Sequence, residues 1–199
     1  MVLTSRWHPR PDPADDGGRH ADLTATVAAA VAGDEEAFRR LYREIQPAIL
    51  RYLRVLVGVD AEDVASETWL QVCRDLHRFR GDIDGLRAWC ATVARHRALD
   101  HLRRVRRRPQ TPWTEEQLAG LASSADTAAS ATDALDTGWA LSLIASLPPD
   151  QAEAVLLRVV VGLDVASAAR VLGKRPGAVR TACHRGLRRL ADVLEHGHA

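Results

Sequence analysis

Residues 163–190, LDVASAARVLGKRPGAVRTACHRGLRRL, decide the fold of the C-terminal part of this chain. In this stretch the small residue Ala169 precedes Gly173 by four positions and Val179 by ten. This is the spacing of a helix-turn-helix, in which a small residue lets two helices cross closely and Gly permits the tight turn. Pro176 suits the first turn of the second helix. The stretch therefore predicts two helices joined at a tight turn.

The second of these predicted helices has an apolar face and a basic face. The helical period places four residues on the apolar face, namely Val179, Cys183, Leu187 and Leu190. The opposite face, which we call the basic face, consists of Arg180, Thr181, His184, Arg185 and Arg188. We expect the basic face to point outward.

The cations of the chain are concentrated around this helix. The chain of 199 residues has 27 Lys and Arg and 26 Asp and Glu, for a formal charge of only +1. Residues 165–191, however, contain seven Lys or Arg and no carboxylate. Phosphates are the natural counterions, and such a helix fits the major groove of DNA, where Arg can donate two hydrogen bonds to guanine. The alternatives are a solvated basic helix and an amphipathic helix at a membrane surface.

The rest of the composition predicts an all-α protein. The chain is 46% apolar and 5% aromatic, and it lacks the alternating Val, Ile and Thr runs of strands, so we expect no sheet. No apolar stretch reaches the ~18 to 20 residues of a membrane span, and the N-terminal sequence has no hydrophobic signal core. We therefore expect a cytoplasmic protein without membrane contact.

Changes in composition divide the chain into two small helical domains and two segments without a core. Residues 1–22, rich in Pro, Asp and Gly, predict a disordered tail. Residues 23–105 predict a helical bundle, and residues 106–136 predict a flexible linker because their few apolar side chains are mostly too small to fill a core. Residues 137–195 form the second predicted domain, which contains the helix-turn-helix.

Helix boundaries inside the predicted bundle are marked by particular residues. An apolar stripe at helical spacing runs from Phe38 to Leu56, with a kink expected at Pro47. Gly58 ends this helix, and Asp60 is the expected N-cap of the next one.

The cysteines and two of the tryptophans are predicted core residues. Cys73, Cys90 and Cys183 are odd in number and far apart, which favours reduced core thiols over disulfides or a zinc site. Trp69 and Trp139 each fall near an apolar stripe, so core packing is favoured over base stacking.

A second basic segment, HRALDHLRRVRRRP, covers residues 96–109 and has five Arg between positions 103 and 108. It includes His96, Asp100 and His101, whose spacing raises the hypothesis of a metal centre in a helical hydrolase or nuclease. No second ligand cluster completes such a site, and Asp100 can pair with a nearby Arg. We therefore expect no metal and no cofactor, and favour a second DNA-facing module.

Two long segments together resemble a known family. Residues 61–108, AEDVASETWLQVCRDLHRFRGDIDGLRAWCATVARHRALDHLRRVRRR, look like the core-binding and minus-ten portion of the bacterial sigma-70 family, extracytoplasmic-function type. Residues 147–190, LPPDQAEAVLLRVVVGLDVASAARVLGKRPGAVRTACHRGLRRL, look like its minus-35 portion. The two segments stand in the order of the family and are separated by a similar linker.

The resemblance implies a dissociable promoter-specificity subunit of RNA polymerase, with no catalytic chemistry of its own and no small-molecule substrate. Its partners would be core RNA polymerase and promoter DNA. An anti-sigma protein that wedges between the two domains is a possible further partner. The alternative is a stand-alone helix-turn-helix repressor, which would bind duplex DNA tightly without polymerase.

The resemblance also implies roles for particular residues. The helix that docks on the clamp helices of the largest polymerase subunit would contribute Asp63, Glu67 and Gln71. The minus-ten element, with its flipped base, would be bound by Arg80, Asp82, Arg87, Arg95, His96 and Arg103. The minus-35 element would be bound by Arg175, Arg180, Thr181, His184, Arg185 and Arg188. The second domain would also contact the flap of the other large subunit.

Two positions depart from the family pattern. Ala182 stands where the family commonly has Arg, and His96 stands where Asn is common. Phosphate anchoring and the choice of minus-ten base are therefore expected to differ from those of relatives.

Overall fold

Eight α-helices make up the described part of the chain, residues 13–107 and 131–196, in this computed structural model. The helices are α1 Pro13–Val31, α2 Glu35–Val57, α3 Ala61–Asp75, α4 Ile83–Arg107, α5 Ala131–Ala145, α6 Pro149–Val155, α7 Val165–Leu172 and α8 Pro176–His196. Within these ranges no strand occurs, which confirms the predicted all-α class. None of the described helices is long and apolar enough to cross a membrane.

Helix α1 begins inside the segment predicted to be a disordered tail. The structure differs from that prediction at residues 13–22, which are helical, whereas residues 1–12 lie outside the described part. The reason is packing: Leu23 is buried among the helices, and Arg19 donates a hydrogen bond to Glu44 of α2 at 2.9 Å. Composition alone does not reveal such partners.

Helix α2 is the central helix of the N-terminal half, and its ends follow the sequence. The Asp34 side chain accepts a hydrogen bond from the Ala37 N–H at 2.9 Å, and Gly58 caps the C-terminal end with a φ of 64°. The helix continues through Pro47. Its buried side is formed by Leu41, Ile45, Ile49, Tyr52 and Leu53.

Asp60 does not cap α3 with its side chain, so that prediction is wrong. Its backbone, with φ −82° and ψ 7°, is not in the extended conformation typical of an N-cap residue. The carboxylate instead lies 3.0 Å from Nε2 of His101 on α4. Asp60 thus links the start of α3 to the far part of α4.

The helix-turn-helix is confirmed at α7 and α8. Asp164 caps α7 by accepting a hydrogen bond from the Ser167 N–H at 2.6 Å, and this bond lowers the pKa of the Asp164 carboxyl. Gly173 ends α7 in the left-handed conformation, with a φ of 64°. Helix α8 begins at Pro176. Helix α6 starts at Pro149, as expected, and continues into a π-helical turn at Leu156–Val160.

Helices α6 and α8 approach so closely that the apolar face of α8 is shifted from the predicted one. A Cβ atom added to Gly186 would lie 2.8 Å from Cγ2 of Val155. Gly186 is therefore the residue of α8 that packs against α6. Leu187, which was predicted on the apolar face, is 44% exposed. Val179 is fully buried, and Leu190 is half-buried against the core.

The predictions for the tryptophans and cysteines are partly wrong. Trp69 is buried, as predicted, but Trp139 is 54% exposed. Cys90 is buried, and burial raises the pKa of its thiol to about 12. Cys183 is half-buried, whereas Cys73 is exposed on α3. Trp139 and Cys73 both lie close to apolar residues in the sequence. Helical periodicity therefore cannot distinguish these two exposed positions from core positions.

The two halves of the described chain, residues 13–107 and 131–196, pack against each other. Helix α4 contacts α7, and α2 contacts both α5 and the π-helical turn. Their buried side chains form one continuous hydrophobic cluster. Of the predicted linker, residues 106–107 belong to α4 and residues 131–136 to α5, while residues 108–130 lie outside the described part.

Candidate nucleic-acid interface

The basic face of α8 is exposed over its whole length. Its five residues are all exposed, and so is Arg175, which lies in the turn before the helix. Within residues 13–107 and 131–196, none of Arg175, Arg180, Arg185 and Arg188 forms an ion pair. Four guanidinium groups without carboxylate partners suit a phosphate-rich ligand.

The turn before α8 is tied to α6 by a separate cation. Nζ of Lys174 lies 2.7 Å from a carboxylate oxygen of Asp150, at the start of α6. The neighbouring Arg175 makes no such pair among the described residues. Lys174 is therefore engaged in holding the turn, and Arg175 remains available.

Two residues that the family resemblance assigns to the minus-ten site form hydrogen bonds that hold the loop between α3 and α4. Arg80 donates hydrogen bonds to the backbone carbonyls of His77 and Phe79, at 3.1 and 2.7 Å. Asp82 accepts a hydrogen bond from the Gly85 N–H at 2.8 Å, at the start of α4. Both side chains are exposed, but both also hold the loop in this conformation.

An aromatic pair lies under this loop and was missed in the sequence. The rings of Phe79 and Trp89 are stacked, with centroids 5.5 Å apart and planes inclined by 21°. A Cβ atom on Gly81, whose φ is 150°, would lie 3.1 Å from the Phe79 ring. The glycine therefore lets the backbone close over the aromatic ring.

Arg87 and Arg95, two further residues assigned to the minus-ten site, are engaged in ion pairs. Arg87 donates to Glu44 of α2 at 3.0 Å and to Asp84 at 3.3 Å. Its side chain is only 24% exposed. Arg95 is paired with Glu153 of α6, in the other half of the molecule. Neither guanidinium group is free to bind DNA in this arrangement.

Three polar groups meet around Arg95: the half-buried Arg95 and Glu153 and the buried Tyr52. The Arg95 Nε donates to Oε1 of Glu153 at 3.0 Å, and Nη2 donates to Oε2 at 3.3 Å. The Tyr52 hydroxyl also donates to Oε1, at 3.3 Å. Burial, followed by the charge of Glu153, raises the pKa of Tyr52 well above its usual value. Burial alone would lower the pKa of Arg95, but the bond to Glu153 and its charge raise it overall.

Sequence reasoning missed Glu153 and Tyr52 as members of this site. Tyr52 looked like one more residue of the apolar stripe on α2, and Glu153 lay among ordinary helix-forming residues of α6. Glu153 is 58 residues from Arg95 and 101 residues from Tyr52 along the chain. No local pattern indicates pairs at such separations.

His96 and Arg103 remain on the outer surface of α4. Both side chains are exposed and line a small groove together with Gln71 of α3. Arg103 also pairs with Asp100 at 2.8 Å. His101 points elsewhere, toward Asp60, so the triplet considered as a metal centre is divided. In the described part of the chain no three His, Cys, Asp or Glu side chains form a metal-binding group.

A larger basic groove of about 770 Å³ lies between α3 and α4. Its cationic lining is formed by Arg74, Arg97, Arg103, Arg104 and Arg107. Two of the three predicted docking residues line this groove and bond its arginines. Gln71 accepts two hydrogen bonds from Arg97, at 3.0 and 2.6 Å, and Glu67 pairs with Arg104 at 3.2 Å. Asp63 is exposed but does not line the groove.

Leu70 is an exposed apolar residue at the edge of this groove that the sequence did not single out. Its relative exposure is 66%, in the middle of α3. A leucine in an amphipathic helix has no feature that distinguishes a core position from a contact position. Together with Gln71 it gives the groove a mixed apolar and polar edge.

These features define a DNA-binding protein of the helix-turn-helix class with a second basic surface on another helix. Comparison with known proteins is more specific. The family model of Sigma-70 region 2 matches residues 41–108, and that of Sigma-70, region 4 matches residues 137–190. These ranges contain the α3–α4 groove and the helix-turn-helix, respectively.

Curated relatives match over most of the chain. The ECF RNA polymerase sigma factor BldN of Streptomyces coelicolor is 35% identical over 189 residues, which cover 94% of this chain and 70% of BldN. The ECF RNA polymerase sigma factor SigD of Mycobacterium tuberculosis is 36% identical over 178 residues, which cover 86% of this chain and 84% of SigD. The chain therefore belongs to the extracytoplasmic-function sigma factors of the sigma-70 family, the promoter-recognition subunits of RNA polymerase.

The fold is also similar to that of solved sigma factors. The sigma factor RpoE of Bartonella quintana, solved in complex with the anti-sigma factor NepR, matches with a TM-score of 0.60 and 22% identity. The match covers 79% of this chain and 96% of RpoE. CnrH, solved with the cytosolic domain of CnrY, has a TM-score of 0.59. Both matches have 22% sequence identity, so the likeness concerns the fold alone.

Proposed function

We propose that the basic face of α8 and Arg175 bind the minus-35 element in the major groove. The observation that carries this proposal is that every residue of this face is exposed, and that its arginines lack carboxylate partners in the described part of the chain. Arginine side chains on such a helix can bond guanine edges or neutralise phosphates. In helix-turn-helix proteins the second helix lies in the major groove, and α8 is the second helix of this motif.

The minus-ten element is bound by the outer surface of α4 and the loop before it. His96 and Arg103 are exposed there, and Arg80 and Asp82 shape the loop. Extruding a base from the stack costs a few kcal/mol. Binding of the extruded base in a protein pocket offsets this cost. Strand opening and recognition of the sequence then take place in one step. Arg87 and Arg95 join this site only when their ion pairs break.

Core RNA polymerase docks at the groove between α3 and α4. Glu67 and Gln71 present polar groups there, and the exposed Leu70 beside them supplies an apolar contact. The groove faces solvent while the two halves of the chain are in contact. Asp63 extends the same docking surface along α3. The helix-turn-helix domain contacts the flap of the other large subunit.

The chain acts in the cytoplasm as a binding protein without catalytic chemistry of its own. Its working units are a domain at residues 23–105, extended toward the N-terminus by α1, and a domain at residues 137–195. An anti-sigma protein is a further partner, supported by the fold shared with RpoE, which was solved with one.

Run-off transcription tests this proposal. Purified full-length chain is mixed with core RNA polymerase and genomic fragments, and the 5′ ends of the transcripts are mapped. We expect transcripts that start at defined positions and depend on the added chain. Absence of such transcripts, combined with tight sequence-specific binding of duplex DNA by the chain alone, would support the repressor hypothesis instead.

A further inference from the structure

Arg87 bridges two carboxylates that belong to different helices. Its Nη2 donates to Oε1 of Glu44 on α2 at 3.0 Å, and its Nη1 donates to Oδ1 of Asp84, in the first turn of α4, at 3.3 Å. The side chains of Arg87 and Glu44 are 24% and 25% exposed. Because a planar guanidinium group holds its acceptors in a fixed geometry, this bridge ties the start of α4 to α2.

Helix α1 contributes to the same network from its own side. Arg19 donates to Oε2 of Glu44 at 2.9 Å, so both oxygens of this carboxylate accept a hydrogen bond from an arginine. Nδ1 of His20 lies 3.8 Å from Oδ2 of Asp84. Helix α1 also contacts both α2 and α4. The first turn of α4 is therefore held by two neighbouring helices.

The first turn of α4 continues directly from the loop of the proposed minus-ten site. Asp82 is the last residue of this loop, and its side chain accepts a hydrogen bond from the Gly85 N–H inside the turn. Ile83, the first residue of α4, is completely buried. A binding site needs its contacting groups held within about 0.5 Å of the productive geometry. A shift of this turn would move the loop relative to His96, which lies farther along α4.

The family resemblance assigns Arg87 to minus-ten binding, but its surroundings favour a different role. Glu44 is three-quarters shielded from water, and Arg19 would be its one remaining ion-pair partner among the described residues if Arg87 moved to DNA. Removing one partner of a shielded charged pair is costly. The uncovered carboxylate would also lie close to the DNA phosphates, which have the same sign of charge.

We propose that Arg87 is a positioning residue of the minus-ten site, which stays bonded to Glu44 and Asp84 when promoter DNA binds. Its function is to fix the start of α4 and the loop before it. Glu44 acts through Arg87, and Arg19 acts through Glu44. The proposal rests on the proposed role of this loop and of α4 in minus-ten binding.

The test compares base discrimination by the holoenzyme, assembled from core RNA polymerase and the full-length chain. Run-off transcription gives the rates on a template with a mapped minus-ten box and on templates with single-base changes in that box. The discrimination ratio of two such rates does not depend on the fraction of folded chain, because one holoenzyme preparation transcribes both templates. A substitution that only destabilises the chain therefore leaves the ratio unchanged.

Glu44→Gln distinguishes a positioning residue from a DNA contact, because the two roles predict different results. For a positioning residue, the weakened bond to Arg87 loosens the start of α4. The discrimination ratio should then fall at least about threefold, within the range of coupling between side chains of one network. For a DNA contact, Glu44→Gln would release Arg87, and the ratio would stay the same or rise.

Two further variants complete the test. Asp22→Asn is the matched control, because Asp22 pairs with Arg40 and thus joins α1 to α2 without a residue of α4; it should leave the ratio unchanged. Arg87→Lys keeps the charge, and with it a phosphate contact, but lacks the planar fork that bridges two carboxylates, so the ratio should fall. If circular dichroism shows that Glu44→Gln is unfolded, Arg87→Lys carries the test.

A wild-type or raised discrimination ratio in Glu44→Gln would overturn the positioning role. A wild-type ratio in Arg87→Lys would overturn it as well, since the charge alone would then suffice. Failure of the proposed function is distinguishable, because the wild-type holoenzyme would then produce no transcripts that depend on the minus-ten box, whatever the variants do.

Discussion

Gly186 of α8 lies directly against Val155 of α6, at a distance that leaves no room for a side chain. A Cβ atom at position 186 would come within 2.8 Å of Cγ2 of Val155 and 3.4 Å of Cβ of Gln151. This close approach sets the position of the helix that carries the basic face.

Gly186→Ala should therefore destabilise the chain. Overpacking of this kind costs about 1 to 3 kcal/mol, which at least cancels the gain of about 1 kcal/mol in helix propensity. Gly177→Ala is the matched control, because Gly177 lies in the same helix with no atom within 4 Å of its added Cβ. Thermal unfolding should show a lower midpoint for Gly186→Ala than for Gly177→Ala; equal midpoints would contradict the close packing.

Arg185→Ala should lower discrimination between promoters by about 1 to 3 kcal/mol if this side chain bonds a guanine edge. Binding of the holoenzyme to promoters with single-base changes in the minus-35 box measures the effect. Arg189→Ala is the control, since Arg189 is also exposed on α8 but lies outside the basic face. Uniformly weaker binding to all sequences would instead assign a phosphate contact to Arg185.

Glu67→Arg should weaken association with core polymerase. The substitution reverses the charge in the α3–α4 groove and places a cation beside Arg104, the present partner of Glu67. Co-purification with tagged core polymerase checks the prediction. Glu36→Arg alters another exposed carboxylate, on α2 and away from the groove, and should leave co-purification intact. Normal recovery of the Glu67 variant would count against the docking surface.

The three cysteines should differ in reactivity toward a maleimide. Nearly complete burial raises the pKa of the Cys90 thiol to about 12, and partial burial of the sulfur raises the pKa of Cys73 and Cys183, so each thiol is mainly protonated at neutral pH. Because the thiolate is the nucleophile, labelling of the exposed Cys73 should accelerate as the pH rises toward its pKa. Cys90 should react only after unfolding. Mass spectrometry of labelled peptides measures each site, and early labelling of Cys90 in the folded chain would contradict its buried position.

Local features of the fold followed from the sequence because they depend on neighbouring residues. Gly58 and Gly173 end helices where the chain needs a positive φ, and Pro149 begins one. The exposed basic face followed from helical periodicity and charge. Asp60 shows the limit of this reasoning, since its carboxylate bonds His101, 41 residues away, rather than the helix that it precedes.

The parts of the site that sequence did not predict depend on contacts between distant segments. Arg87 and Arg95 were predicted to bind DNA, but the fold brings each of them to a carboxylate, Glu44 or Glu153. Leu187 turned outward because Gly186 occupies the helix contact. Long-range packing decided these positions.

The central claim is that two basic modules of one chain bind two promoter boxes at once. Its most direct measurement is run-off transcription from a series of templates in which the spacer between a mapped minus-35 and minus-10 box is lengthened base pair by base pair. Half a helical turn, ~5 base pairs, rotates one box to the opposite side of the duplex. We predict that transcription falls sharply at this insertion and that deleting either box abolishes it. Undiminished transcription at every spacing would contradict the claim.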